Sequence, residues 1–196
     1  MVGLGNPGPE YQATLHNLGF WVVERLAERA GVKVSRRAAR ALLGRGRLEE
    51  TEVVLAKPQT FMNASGLAVQ ALLKHFKVTP AALIVIADDV ALPWGMLRIR
   101  EQGSSGGHKG LQSVIEALGT NAFVRVRLGI RPCLSGGEVE AAVADLTDYV
   151  LAPMSRGQRQ QAAEMVEQAT EAVRMILRDG SKRAMARFNR RVPSAP

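Results

Sequence analysis

The residues best suited to chemistry are an asparagine and a histidine near the start of the chain. Asn6 lies in a turn of glycines and prolines after a short apolar stretch, and His16 lies in the first turn of a helix predicted over residues 14–30. An imidazole held at Nδ1 by a carboxylate can take a proton from water at Nε2, and an amide can donate hydrogens to a carbonyl oxygen that gains charge. The two residues therefore predict a cleft in which water attacks a carbonyl group.

A carboxylate for this imidazole is available from Asp88. It follows an apolar run at residues 83–86, which predicts a central strand buried on both faces. Side chains just past the C-terminal end of such a strand lie where α/β proteins bind ligands. Asn63, near the start of a predicted helix, offers a second amide to the same cleft.

Each of these residues also has a purely structural interpretation. A single histidine at a helix end commonly satisfies a backbone group, and asparagines commonly cap or brace turns. His75 is interpreted as a partly buried member of an amphipathic helix, and His108 as part of a junction between a loop and a helix. For Asn6, His16 and Asn63 both interpretations stay open at this point.

The glycine-rich start of the chain formally fits the dinucleotide fingerprint G-x-G-x-x-G. Pro7 and Pro9 delay the predicted helix, however, and Glu28 falls inside that helix instead of ending a second strand. Both features argue against nucleotide binding. The sequence also has no G-x-S-x-G motif, and no H-E-x-x-H motif or histidine cluster that would supply a zinc site, so any hydrolysis is predicted to be direct attack by water.

The composition is that of a single globular domain. The chain has 196 residues, of which 46% are hydrophobic and 22% charged, and this suits one core. Its apolar runs are shorter than the ~20 residues of a membrane-spanning helix. Cys133 is the only cysteine, so no internal disulfide can form. A cytoplasmic location without membrane association is predicted.

The net charge of +8 favours a polyanionic partner, as does the pI of about 10.4, because a basic protein binds polyanions by releasing their counterions. Nucleic acid is the leading candidate, and the alternative is a solvated surface without a partner. The clustered cations are Arg36, Arg37, Arg40, Arg45 and Arg47 in the first third, and Lys182, Arg183, Arg187, Arg190 and Arg191 at the end.

Strand and helix patterns alternate along the chain. The predicted elements after the first helix are a hairpin over 41–56 with its bend at 49–51, short strands over 96–100 and 124–130, and helices over 155–179 and 182–189. The predicted fold class is α/β, a single domain over residues 1–190. It has a twisted mixed sheet, helices on both faces and the C-terminal helices near the active cleft. Residues 191–196 are predicted to form a short basic tail.

Seven blocks of the sequence resemble, in the same order, the signature blocks of the bacterial peptidyl-tRNA hydrolase family. They are V-G-L-G-N-P-G at 2–8, Tyr11 with His16-Asn17, T-F-M-N-A-S-G at 60–66, D-D at 88–89 with L-P at 92–93, Gly103 with G-G-H at 106–108, R-x-R-L-G-I at 125–130, and Y-V-L at 149–151. The blocks are spread over nearly the whole chain, so the resemblance covers the fold as well as the site.

The resemblance implies a monomeric α/β enzyme of the cytoplasm that hydrolyses the ester between a peptide and the 3′ ribose of tRNA. Its partner would be peptidyl-tRNA, with no metal, no cofactor and no obligate protein partner. At matching positions, His16 is the implied general base and Asp88 the carboxylate that orients it. Asn6 is similar to the asparagine that helps to discriminate N-blocked from free aminoacyl-tRNA.

The resemblance also implies residues that line the cleft. Tyr11, Phe61 and Asn63 match positions that contact the substrate near its ester and peptide carbonyls. Met62 adjoins them and belongs to the same implied binding set. These side chains are therefore expected to lie around the reacting carbonyl.

Basic residues complete the implied binding set. Arg98 and Arg100 fall where the family grips the 5′ phosphate region of tRNA, and Arg127 matches a further basic binding position. Lys109 is a departure, because the family usually has asparagine after Gly-Gly-His, and an ammonium can donate a hydrogen bond but cannot accept one. Lys109 leaves room for a rival hypothesis, a non-catalytic RNA-binding relative on the same scaffold. The intact asparagines and the intact histidine and aspartate argue against that rival.

Overall fold

The computed structural model of the protein describes residues 1–131 and 146–189. The strands in these residues are β1 (Val2–Gly3), β2 (Arg36–Ala38), β3 (Ala41–Leu48), β4 (Thr51–Pro58), β5 (Ile84–Pro93), β6 (Leu97–Arg100) and β7 (Val124–Arg131). They form one sheet in the order β2-β3-β4-β1-β5-β7-β6. The central neighbours β4, β1, β5 and β7 are parallel, and both outer parts of the sheet pair antiparallel. The sheet is therefore mixed, as predicted.

Helices cover both faces of this sheet. They are α1 (Leu18–Arg29), α2 (Ser65–Phe76), α3 (Lys109–Leu118), α4 (Leu146–Leu151), α5 (Arg156–Asp179) and α6 (Ser181–Phe188), with 3₁₀ turns at Pro9–Tyr11, Leu15–Asn17, Met62–Ala64 and Pro80–Ala82. Successive side chains of a strand point to opposite faces. Ile84 and Ile86 of β5 accordingly join the core with α1, α5 and α6, whereas Val85 and Ala87 join the core with α2 and α3. The predicted α/β class with helices on both faces is confirmed.

The first turn of α1 lies directly against the backbone of the sheet. A Cβ atom on Gly3 would overlap the carbonyl group of Gly19, and a Cβ atom on Gly19 would overlap backbone atoms of Leu4 and the carbonyl oxygen of Ile86. Because neither glycine has a side chain, α1 can approach β1 and β5 at this short distance. The contact fixes the 3₁₀ turn Leu15–Asn17, which immediately precedes α1, above the same two strands.

Replacing Gly19 with alanine is expected to lower the free energy of unfolding by about 3 kcal/mol, because the added methyl group meets backbone atoms that cannot move aside. Urea unfolding followed by circular dichroism measures the change. Gly157→Ala in α5 is the matched control, since a Cβ atom at Gly157 has nothing within 4 Å. This control should gain about 0.5 kcal/mol. Equal stabilities of the two variants would contradict the close contact.

The predicted hairpin is confirmed. β3 and β4 pair from Ala41 with Pro58 to Leu48 with Thr51. Glu49 and Glu50 form the two-residue turn between them, and both have positive φ angles, 47° and 61°, as a tight hairpin turn requires. By contrast, β2 and the short helix α4 have no counterpart in the sequence prediction.

Two predicted placements are wrong. His16 does not lie in the first turn of a long helix but in the separate 3₁₀ turn Leu15–Asn17, because the side chain of Asn17 is bonded to the backbone of Asn6 at this point. Asp88 does not follow its strand either. β5 continues to Pro93, since Asp88 still pairs with Leu128 of β7.

Some predictions fall outside the described residues, namely the tail at 191–196, Arg190 and Cys133. Within residues 1–131 and 146–189, no helix has both the length and the apolar composition of a membrane-spanning segment.

Candidate active site

His16 and Asp88 meet at the centre of the sheet, as predicted. The Nδ1 atom of His16 lies 3.0 Å from Oδ1 and 3.1 Å from Oδ2 of Asp88. The Asp88 side chain is only 2% exposed, whereas that of His16 is 13% exposed and lines an open cleft of about 310 Å³. The ionised carboxylate accepts the Nδ1–H hydrogen, which leaves the lone pair on Nε2. His16 is therefore positioned to accept a proton on the side of the cleft.

A second histidine, His108, shares the same carboxylate. Its Nε2 atom lies 3.1 Å from Oδ1 of Asp88. Its Nδ1 atom accepts hydrogen bonds from the backbone N–H groups of Gly110, at 3.1 Å, and Leu111, at 3.2 Å. Since Nδ1 accepts, the proton of neutral His108 lies on Nε2 and is donated to Asp88. The predicted position of His108, at a junction between a loop and a helix, is confirmed, but its contact with Asp88 was not predicted.

The two imidazoles keep Asp88 ionised. Burial by itself raises the pKa of the Asp88 carboxyl, but the electrostatic interactions with His108 and His16 and the hydrogen bonds from both rings together outweigh it. The pKa of Asp88 is consequently held well below its ordinary value. An ionised Asp88 both fixes the tautomer of His16 and stabilises the imidazolium that forms when His16 takes a proton.

The same three residues offer ligand atoms that lie within 4.8 Å of one another. Their hydrogen bonds are those of a protonated network, however. The Nδ1–H of His16 and the Nε2–H of His108 both point to Asp88, where a metal ion would need lone pairs. The donor set therefore suits proton transfer better than metal binding.

The side chain of Asn6 has a defined orientation. Its Oδ1 atom accepts a hydrogen bond of 2.7 Å from the backbone N–H of Met62. The Asn6 backbone is held in turn by Asn17, whose Oδ1 accepts from Asn6 N at 2.8 Å and whose Nδ2 donates to Asn6 O at 2.9 Å. Because Oδ1 is already bonded, the Nδ2 hydrogens of Asn6 are the ones offered to the cleft that this residue lines.

The other predicted cleft residues lie around His16 and Asp88. Tyr11, Phe61, Met62, Asn63 and Lys109 all line the cleft, as do Asn6, His16 and Asp88. Met62 is buried, whereas Phe61 is 60% exposed at the mouth of the cleft. The structure thus brings together eight predicted site residues, which are Asn6, Tyr11, His16, Phe61, Met62, Asn63, Asp88 and Lys109.

One wall of the cleft comes from α4, which the sequence analysis did not predict. Leu146, Thr147, Val150 and Leu151 line this wall. Just beyond α4, the backbone N–H of Met154 donates to the carbonyl oxygen of Ala13, at 2.8 Å. This bond ties the α4 wall to the segment that precedes His16. Among the helices of residues 146–189, α4 is the one whose residues line the cleft.

The predicted arginines are not among the residues that line the cleft. Arg127 of β7 forms an ion pair with the buried Asp89, with Nε 2.9 Å from Oδ2. Its charge is thus compensated inside the protein. The neighbouring Arg125 is 1% exposed and donates to the backbone carbonyl oxygens of Gly103 and Asn121. Arg125 therefore holds the loop before His108 in place.

Arg98 and Arg100 lie on β6, at the edge of the sheet. Arg98 is half-buried and Arg100 exposed, while the alternate residues of the strand are buried. The end of α6 is fixed to this strand, because Asn189 accepts from the N–H of Ile99 at 2.7 Å and donates to its carbonyl oxygen at 3.0 Å. The exposed cations of α6, which are Lys182, Arg183 and Arg187, therefore lie beside the β6 edge, on the sheet face that Leu97 and Ile99 share with α6.

Comparison with known proteins agrees with this geometry. The profile of the family described as peptidyl-tRNA hydrolase matches residues 1–195. The chain belongs to the peptidyl-tRNA hydrolase family. A peptidyl-tRNA hydrolase of Koribacter versatilis is 47% identical over 197 residues, covering 100% of this chain and 94% of the relative. That of Desulforudis audaxviator is 48% identical over 189 residues, covering 96% of this chain and 92% of the relative.

A solved structure supports the same family at the level of the fold. The crystal structure of peptidyl-tRNA hydrolase from Acinetobacter baumannii has a TM-score of 0.84 to this protein at 32% sequence identity. The superposition covers 98% of this chain and 95% of the crystal chain. The match to the peptidyl-tRNA hydrolase family therefore extends from the motifs to the whole topology.

Proposed function

We propose that this protein hydrolyses the ester bond between a peptide, or an N-blocked aminoacyl group, and the 3′ end of tRNA. The observation that supports this most directly is the His16 imidazole, which is held at Nδ1 by the buried Asp88 and lines an open cleft. In a chain of the peptidyl-tRNA hydrolase family, this is a general base for water.

The reaction requires two proton transfers through His16. Nε2 takes a proton from water as the water oxygen attacks the ester carbonyl carbon. The tetrahedral intermediate then breaks the bond between that carbon and the 3′ oxygen, and the imidazolium returns its proton to the leaving oxygen. Asp88 stays ionised throughout and stabilises the imidazolium. The products are a peptide acid and a tRNA with a free 3′ hydroxyl.

The amides of Asn6 and Asn63 position the carbonyl groups of the substrate. Asn6 offers its Nδ2 hydrogens, because its Oδ1 is bonded to Met62 N. Asn63 is exposed in the same cleft, beside Lys109, whose ammonium is a further donor for a carbonyl or a phosphate oxygen. Tyr11, Phe61 and Met62 provide the surrounding surface. Backbone carbonyls are common to all peptides, so peptide sequence should matter little.

Basic residues outside the cleft hold the RNA. Arg98, Arg100 and the exposed cations of α6 bind tRNA phosphates at the β6 edge. Phosphate contacts position the RNA without reading its sequence. Arg127, which is paired with Asp89, supports this surface from inside. Translation takes place in the cytoplasm, and we place the enzyme there as a monomer that needs no protein partner.

The test is release of an N-acetylated amino acid from tRNA by the purified protein in the presence of a metal chelator. Turnover is expected with the chelator, because the proposed mechanism uses water, His16 and Asp88 alone. Absence of turnover, with or without added divalent metal, would contradict the proposed function.

Asn6→Asp is expected to lower the selectivity for N-acetyl-aminoacyl-tRNA over free aminoacyl-tRNA by about tenfold, the value of one hydrogen bond. The variant keeps an oxygen for the N–H of Met62 but replaces the donor that faces the substrate with an acceptor. The ratio of kcat/KM for the two substrates measures the effect. Asn189→Asp, at a residue bonded to β6 far from the cleft, is the control, and equal ratios in both variants would remove Asn6 from substrate discrimination.

A further inference from the structure

A group of exposed cations near the cleft has no part in the mechanism above. They are Arg36 of β2, Arg40 of the turn after β2, Arg45 of β3 and Lys74 of α2, and we call them the α2-side basic surface. Arg36 pairs with Leu43, whose side chain is in the core beneath α2, and Arg45 lies over the ring of Phe76 at 4.9 Å. Strand alternation therefore places both arginines on the α2 face of the sheet.

No acidic residue interrupts this surface. Residues 29–48 include Arg29, Lys33, Arg36, Arg37, Arg40, Arg45 and Arg47 but no aspartate or glutamate. Residues 53–87 likewise have lysines and no acidic residue. The nearest acids in sequence are Glu49, Glu50 and Glu52. Glu49 and Glu50 lie at the opposite end of the β3–β4 hairpin and pair with Arg174 and Arg47, and Glu52 lies opposite Arg47 near that same end. Across residues 1–131 and 146–189, no carboxylate forms an ion pair with the four cations of the surface.

The surface begins at the mouth of the active cleft. Ala41 pairs with Pro58 at the C-terminal end of β4, and β4 is parallel to β1, so the turn that contains Arg40 lies at the same edge of the sheet as Asn6. The carbonyl oxygen of Arg40 accepts a hydrogen bond of 2.8 Å from Gln59 N. Phe61, at the mouth of the cleft, follows Gln59 by two residues, a reach of at most about 7 Å.

A groove of about 500 Å³ continues from this point along α2. It is lined by Arg40, Leu67, Gln70, Ala71 and Lys74. Leu67, Gln70 and Lys74 recur at helical spacing and are exposed. The groove therefore has a cation near each end and an apolar side chain between them.

We propose that the α2-side basic surface binds backbone phosphates of the tRNA whose ester occupies the cleft, an inference that rests on the proposed function. Every nucleotide has a fixed negative charge, whereas a peptide of arbitrary sequence has none, so the uniform positive charge of this surface suits the RNA. Guanidinium groups match phosphate oxygens with two parallel hydrogen bonds.

This surface is distinct from the one at β6. The two edge strands β2 and β6 are separated by six interstrand spacings, about 29 Å. The tRNA would thus be held on both sides of the cleft, and its 3′ end would be fixed between two sets of phosphate contacts. Two such contacts restrain the ester more tightly than either does alone.

The test compares two triple variants with the same loss of charge. Arg36→Gln, Arg40→Gln and Lys74→Gln remove the surface. The control replaces Arg25, Arg29 and Arg47 with glutamine. These arginines are already paired with Glu167 or Glu50. Binding of deacylated tRNA is titrated at a series of KCl concentrations, and circular dichroism confirms that both variants are folded. The slope of log K against log salt should fall by about two to three in the surface variant and by less than one in the control.

The outcomes separate this proposal from the proposed function. Equal slopes in the two variants, with ester hydrolysis by the unmodified protein intact, would overturn the surface alone. A loss confined to substrates with acidic peptides, without any change for deacylated tRNA, would assign the surface to the peptide and would also overturn the proposal. A smaller slope in the surface variant supports it whether or not the unmodified protein hydrolyses the ester.

Discussion

His16→Ala is expected to lower kcat for hydrolysis of N-acetyl-aminoacyl-tRNA by about 10²–10⁴-fold, the usual contribution of a general base. KM should change little, because phosphate and amide contacts elsewhere bind the substrate. The Nε2 atom of His16 is the one base in the described part of the cleft that Asp88 orients toward solvent, since His108 uses both ring nitrogens internally. Release of labelled N-acetyl amino acid at saturating substrate, with a chelator present, measures kcat.

His75→Ala is the matched control for this experiment. His75, which was predicted to be partly buried, is an exposed histidine on α2, and its ring packs edge-on against Phe76 at 4.8 Å, away from the cleft. The His75→Ala variant should retain the activity of the unmodified protein. Equal turnover by His16→Ala and the unmodified protein would refute the mechanism, and no turnover by either would favour the rival hypothesis of a non-catalytic RNA-binding relative.

Asp88→Asn is expected to lower kcat by about 10²–10³-fold, because the imidazolium loses its counter-charge. An amide nitrogen at the position of Oδ2 would lie 3.1 Å from Nδ1 of His16. Two donors would then face each other unless His16 moved its proton to Nε2, which would remove the lone pair that accepts from water. Single-turnover kinetics measure the chemical step, and Asp179→Asn, which removes a half-buried carboxylate paired with Arg178, is the control.

The same variant should alter stability in acid. Burial raises the pKa of Asp88, but the interactions with His108 and His16 lower it by more. The pKa of Asp88 in the folded protein is therefore below its ordinary value. A carboxyl with a depressed pKa stabilises the fold above its unfolded pKa, about 3.9, and loses that contribution as the pH falls toward the folded value. The difference in unfolding free energy between the unmodified protein and Asp88→Asn should therefore shrink as the pH is lowered below about 4. A difference independent of pH in this range would show that the charge of Asp88 is not stabilising.

The catalytic pair could be predicted because each residue follows an apolar run. His16 comes after β1, and Asp88 lies near the end of the continuously buried part of β5. Parallel central strands bring such residues to the same edge of a sheet. The local conformation could not be predicted in the same way. The 3₁₀ turn at His16 depends on Asn17, whose hydrogen bonds reach back to Asn6, and the extension of β5 past Asp88 depends on its pairing with β7.

The contacts that the sequence did not reveal depend on pairing between distant segments. His108 follows a glycine-rich loop without periodicity, and its contact with Asp88 joins residues far apart in the chain. A weak signal was its position directly before an amphipathic helix, where a side chain can accept from the first N–H groups. Arg127 was correctly placed on a strand, but its pairing with Asp89 requires the register of β5 against β7. The six residues of α4 are too few for a helical repeat to be visible.

The direct contact of Gly19 with β1 and β5 has a consequence for the motions of the enzyme. It leaves no side chain between the backbone that supports His16 and the strand that contains Asp88, so these two residues have no compressible layer between them. We therefore expect the motions that admit and release the substrate to come from other walls of the cleft, where Gly106 and Gly107 have φ angles of 60° and 82°. Local fluctuations of those walls change the access to the cleft, while the distance between base and carboxylate stays constant for as long as the core remains folded.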